Sequence, residues 1–138
     1  MTGSAAVLAK SAQTSADGGL RNLLRSRMSE SEIHHAVVAH LAHRCAANVF
    51  WTHIPAGELR PRGVGGKIKG MGLKPGVPDI LLVIGGRAHF LELKKTDGRL
   101  SDSQKAAISD LQRAGAAVAV AFGLDAAIAQ LEAWGALR

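Results

Sequence analysis

A chain of 138 residues fits one domain, and a hydrophobic content of 47% is enough for a single core. The one cysteine, Cys45, excludes an internal disulfide and a cysteine-rich zinc cluster, and suits a reducing compartment, by default the cytoplasm. Seventeen Lys and Arg against eleven Asp and Glu leave a formal net charge of +6, which favours polyanionic partners, nucleic acid first, while no apolar run approaches the roughly 18 residues of a membrane span.

Residues 1–27 are rich in Ser, Ala, Gly and Thr and read as a flexible basic arm, with Leu20, Leu23 and Leu24 marking a short amphipathic stretch. The domain proper is expected over 28–138. Ser29 can cap a helix over 30–47, because Ile33, Val37 and Leu41 recur at helical spacing. A β-prone run at 48–54 stops at Pro55 and Gly57. From there to Pro78 glycine and proline are dense among Arg60, Arg62, Lys67, Lys69 and Lys74, which predicts a loop without a packed element. Its Gly63-Val64-Gly65-Gly66-Lys67-Ile68 segment lacks the Ser or Thr and the leading strand of a phosphate loop.

Residues 80–84 form a continuous apolar run that predicts a strand covered on both faces. Gly85 and Gly86 turn it back into a strand over 88–94. Ser101 with Gln104 is a capping box, opening a helix whose inner face would carry Ala107, Ile108, Leu111 and Ala114 and which Gly115 ends. Residues 116–122 read as another buried strand, and Asp125 can cap a last helix carrying Ile128, Leu131 and Trp134. The order α, β, β, β, α, β, α implies an α/β fold with a mixed sheet flanked by helices on both sides.

The chemistry sits on the hairpin. A two-residue turn pairs Ile84 with Arg87 and, counting outward, sets Asp79 opposite Glu92. Alternation then puts Glu92 and Lys94 on one face and Leu91 and Leu93 on the other. Carboxylates opposed at about 5 Å repel each other unless a cation sits between them. Oxygen donors without His or Cys in register suit Mg²⁺ or Mn²⁺ rather than Zn²⁺, and such an ion with Lys94 beside it suits phosphodiester hydrolysis. The plainer alternative is an edge-strand ion pair between Glu92 and Lys94, with Asp79 closing a turn after Pro78.

Gly76-Val77-Pro78-Asp79-Ile80, Phe90-Leu91-Glu92-Leu93-Lys94 and Gly98-Arg99-Leu100-Ser101 with Gln104 together resemble the VRR-NUC branch of the PD-(D/E)xK nuclease superfamily. The likeness runs over about 30–134, and residues 52–58 resemble the turn these domains carry between their first strand and basic loop. It implies a restriction-endonuclease-like αβββαβ core, with Asp79, Glu92 and the backbone carbonyl of Leu93 as metal ligands and Lys94 assisting the attacking water or the developing charge. It also implies an acid on the first helix, for which Glu30 and Glu32 both qualify; helical geometry prefers Glu30, which lies on the Ile33–Val37–Leu41 stripe. A charge favourable to a first helical turn is the alternative for Glu30, and the capping box explains Gln104 without a substrate.

On this resemblance the chain is a metal-dependent endonuclease for DNA, selective for branched structures such as four-way (Holliday) junctions, working as a homodimer in DNA repair or phage DNA processing. A non-catalytic nucleic-acid-binding module of the same fold and an RNA nuclease are the competing readings. Arg60, Arg62, Lys67, Lys69 and Lys74 are then DNA-backbone contacts, or else a solvated loop. His34, His35, His40 and His43 crowd the first helix, yet no matched second pair or HExxH pattern supports zinc. Trp51 and Trp134 are assigned to the core.

Overall fold

The computed structural model describes residues 16–55 and 70–138. Among them the elements run α1 (Ala16–Ser26), α2 (Glu30–Arg44), β1 (Val49–His53), β2 (Ile80–Ile84), β3 (Arg87–Lys94), α3 (Asp102–Arg113), β4 (Ala117–Phe122) and α4 (Leu124–Ala133). Behind α1, the order is the one expected from periodicity and turns.

The second helix begins where a cap allows it. Ser29 Oγ accepts from Glu32 N at 3.1 Å and Glu32 Oε1 accepts from Ser29 N at 3.2 Å, a reciprocal box that satisfies two otherwise orphaned donors. It ends at Arg44 rather than 47, because Cys45 turns extended and forms a bridge to Leu137 while Ala46 N donates to Ala136 O.

The sheet has the order β1-β2-β3-β4, antiparallel across the first two pairs and parallel between β3 and β4. A parallel pair needs a crossover, and α3 supplies it. One face carries Ile80, Leu82, Leu91, Leu93 and Ala121, all buried, against Ile33, Val37 and Leu41 of α2 and Ala127 and Leu131 of α4. Each large apolar side chain buried this fully contributes roughly 1.5–3 kcal/mol. Trp51 and Trp134 pack half-buried against this core, Trp134 edge-on to the buried His89 ring at 5.0 Å.

On the other face the packing is thinner than the sequence suggests. β2 is not covered on both sides: Val83 is 38% exposed, and burial alternates along the strand. β4 is mostly half-buried rather than buried, with Phe122 exposed. α3 packs against β4 through half-buried Ala107, Ile108 and Leu111, while Ala114, expected on its inner face, is exposed at the helix end. An isolated apolar run thus reports burial of the element, not of both its faces.

The last helix is also capped differently from expectation. Gly123 at φ +93° is its N-cap, with no side-chain hydrogen bond, and Asp125 lies in the first turn instead. A positive φ is open to glycine at little cost, and a Cβ here would come within 3.0 Å of Thr96 Cγ2. Asp125 pairs with Arg25 of α1 at 2.6 Å, and Thr96 Oγ1 donates to Ser26 O at 3.0 Å. The amphipathic stretch marked by Leu20, Leu23 and Leu24 is therefore a helix docked near the start of α4, and those leucines are exposed. No helix among the described residues is long and apolar enough to cross a membrane.

Candidate active site

The hairpin forms in the register expected. Gly85 at φ +59° and Gly86 at φ +76° supply the two left-handed positions that a two-residue turn of matching twist requires. Ile84 pairs with Arg87 and Ile80 with Leu91, so the next step outward sets Asp79 across from Glu92. Asp79 is held at both ends. Its Oδ2 accepts from Leu93 N at 2.7 Å, and its carbonyl accepts from Ile54 N at 2.7 Å and from His53 Nδ1 at 3.0 Å.

Glu92 is 3% exposed, an expensive place for a carboxylate. Its Oε1 accepts from Gln104 Nε2 at 3.0 Å, and Lys94 Nζ stands 3.8 Å away. Burial first, and then the charge of Asp79, push its pKa from 4.5 up to about 8; a hydrogen bond with Asp79 and the charge of Glu30 act the same way, and Lys94 opposes them. The metal-free site thus favours a proton between two acids.

A raised carboxyl pKa means that the folded state binds the proton more tightly than the unfolded chain. Its contribution is fully present below pH 4.5 and is lost as pH rises through about 8. In EDTA, stability measured by denaturant titration is expected to decline across that window by an amount on the order of a few kcal/mol. Glu92→Gln should flatten the profile; an unchanged slope in that variant would show that another group titrates.

Lys94 is buried to 8% exposure and bridges two acids, with Glu30 Oε1 at 3.5 Å and Glu92 Oε1 at 3.8 Å. Of the two candidate helix acids, Glu30 therefore faces the site, whereas Glu32 is engaged in the cap with Ser29. Gln104 makes two contacts. Its Oε1 accepts from Ser101 N at 2.9 Å, closing the capping box, and this leaves Nε2 aimed at Glu92. The cap thereby fixes the amide that touches the acid.

These five side chains share one cavity of about 570 Å³. His34 and His53 line it too, and sequence reasoning missed both. Two signals could have found them: His34 follows Glu30 by one helical turn, and His53 pairs with Ile80, next to Asp79. Arg60, Arg62, Lys67 and Lys69 lie outside the described residues. Lys74 is exposed and lines a different groove, beside Ser103 and Ala107 of α3. Among the other histidines, His35 Nδ1 meets Ser31 O at 2.9 Å and His40 Nδ1 meets Arg44 at 3.2 Å.

Among the described residues no three His, Cys, Asp or Glu side chains are drawn into a ready metal cage. Lys94 stands between Glu30 and Glu92, and Asp79 Oδ2 turns to Leu93 N. The donor chemistry nevertheless fits a hard divalent cation, since the two hairpin acids offer only oxygen and repel each other without one. Such an ion between the two acids would relieve the repulsion from Asp79, which after burial is the next cause of the raised Glu92 pKa.

A family model described as the VRR-NUC domain matches residues 27–124. A solved structure titled "VRR_NUC domain protein" superposes with a TM-score of 0.63 at 24% identity, covering 78% of this chain and 88% of that one. A second, titled "VRR_NUC domain", gives a TM-score of 0.50 at 17% identity over 76% of this chain and 97% of that one. At these identities the two structures speak for the fold. A search of the curated proteins finds no match.

Proposed function

Given that the chain belongs to the VRR-NUC family of nuclease domains, we propose that it is a metal-dependent endonuclease that hydrolyses DNA phosphodiester bonds at the Asp79–Glu92–Lys94 cavity. The observation that carries this reading is the buried Glu92 carboxyl set against the half-buried carboxylate of Asp79, flanked by a lysine that is itself nearly buried. An edge-strand ion pair would be solvent-exposed, and here Glu92 and Lys94 are not.

Asp79, Glu92 and the backbone carbonyl of Leu93 would hold Mg²⁺ or Mn²⁺, which polarises a phosphodiester and lowers the pKa of a bound water. The protein's own groups do the rest. The Leu93 N–H orients Asp79, and Gln104 orients Glu92. The Lys94 ammonium, held by acids on two sides, faces the negative charge that develops on the phosphoryl oxygens. Glu30 keeps that ammonium in place from the start of α2. Water adds to phosphorus as the bond to the leaving sugar oxygen breaks.

The net charge of +6 supports a polyanionic substrate, and the basic residues of 56–74 are assigned to backbone phosphates. We assign branched DNA, above all four-way junctions, as the preferred form and a homodimer as the working unit, because a twofold assembly presents two cutting centres to a junction of matching symmetry. The sole cysteine suits action in the reducing cytoplasm.

The test is a labelled panel of duplex, single strand, flap and four-way junction, with an RNA strand of one matching sequence, in Mg²⁺, Mn²⁺ or EDTA. Metal-dependent cutting of DNA, fastest on the junction and abolished by EDTA, is the expected result. Tight binding with no cutting in any metal would replace the enzyme by a binding module. Preferential cutting of the RNA strand would reassign the substrate.

A further inference from the structure

The carbonyl of Asp79 receives two donors, and one of them is a side chain from another strand. Because a carbonyl oxygen only accepts, the 3.0 Å contact from His53 Nδ1 requires that Nδ1 carry the hydrogen. His53 ends β1 opposite Ile80, so this bond and the one from Ile54 N fasten the end of β1 to Asp79, the residue just before β2. The His53 ring in turn meets His34 edge-on, with centroids 4.4 Å apart and planes at 80°. His34 stands one turn beyond Glu30 on α2. The pair therefore links the helix that carries Glu30 to the backbone that carries Asp79, inside the same cavity.

We infer that His53 is a positioning residue for the acid pair: its Nδ1–H, buttressed by the His34 ring, sets the backbone of Asp79 so that the carboxylate stays aimed across the hairpin at Glu92. Partners of this kind, one bond removed from a ligand, fix ligand orientation and commonly govern metal affinity by one to two orders of magnitude. The inference rests on the metal-dependent reading above and adds to it a residue whose effect is exerted through another.

The amide side chains separate this role from simple filling of space. Asparagine places a donor near the position of the imidazole Nδ1, whereas glutamine places one near Nε2. The experiment compares wild type, His53→Ala, His53→Asn and His53→Gln in two measurements: Mn²⁺ affinity by titration calorimetry without DNA, and kcat and KM for DNA cleavage in Mn²⁺. His53→Ala and His53→Gln are expected to weaken Mn²⁺ binding by roughly 10–100-fold and to lower kcat with KM little changed. His53→Asn should recover Mn²⁺ affinity to within about threefold of wild type. If His53→Ala does not fold, the contrast between the two amides still decides.

Variants that all bind Mn²⁺ and cut like wild type would overturn the inference, as would a His53→Asn variant no better than His53→Gln. A wild type that neither binds Mn²⁺ nor cuts would instead bring down the nuclease reading, and this inference with it.

Discussion

Lys94→Ala is expected to slow metal-dependent cleavage by roughly 10²–10⁴-fold, the range typical for loss of a positioned group that acts in the transition state. The side chain is almost wholly buried and stands within 4 Å of both Glu30 and Glu92. Removing it takes an attractive charge away from Glu92, which must then hold its proton even more firmly in the metal-free protein. The loss should therefore fall on kcat, while affinity for uncut DNA in EDTA is expected to stay within about threefold, as it does where many separate phosphate contacts share the binding. Single-turnover cleavage and filter binding give the two numbers. A variant that cuts within a few-fold of wild type would remove Lys94 from the reaction and leave Asp79 and Glu92 to act without it.

Gly76→Ala is expected to cost roughly 2–5 kcal/mol, the sum of a left-handed backbone and an overpacked contact. Gly76 has φ +78°, and a Cβ built on it would lie 2.3 Å from both Ser103 C and Ser103 O and 2.5 Å from Gln104 N. Those atoms are backbone in the first turn of α3, so relief requires moving the helix start. Moving it carries Gln104 away from Glu92 and opens the capping box at Ser101. Stability and activity should fall together, with Tm lower by more than about 8 °C. Gly72→Ala is the control: its φ is +99°, but nothing stands near the added methyl, so it carries the backbone strain alone. Equal effects in the two variants would show that the contact with α3 contributes nothing.

Much of this site was legible because it depends on counting. A two-glycine turn and strand alternation are enough to oppose Asp79 and Glu92 and to put Lys94 on the same face, and the observed pairing from Ile84 with Arg87 to Ile80 with Leu91 follows that count. The capping boxes at Ser29 and Ser101 are likewise local patterns, and both form. What escaped reading depends on partners distant in sequence. Asp125 looked like a cap because its type and place fit one, yet Gly123 takes the position and Arg25, far along the chain, takes the side chain. Apolar runs in β2 and β4 reported strands without reporting that only one face of the sheet is well covered. His34 looked like one member of a histidine-rich helix and His53 like part of the turn over 52–58, and only the β1–β2 pairing sets His53 against the backbone of Asp79. The amide of Gln104 has a donor and an acceptor: the acceptor closes the capping box at Ser101, which sequence spacing shows, and the donor meets Glu92, which only the fold shows.

The β2–β3 hairpin also sets which changes of length the chain can absorb. Because neighbouring strand residues face opposite sides, one residue inserted into or deleted from β3 between the turn and Glu92 would exchange the two faces beyond that point. Leu91 and Leu93 would then leave the core as Glu92 and Lys94 entered it, so fold and chemistry would fail in one step. A change of two residues there keeps the parity of the strand and shifts only how far the acid stands from the turn. Across related sequences, length variation in this arm of the hairpin should therefore come in even steps, whatever happens to the residues themselves.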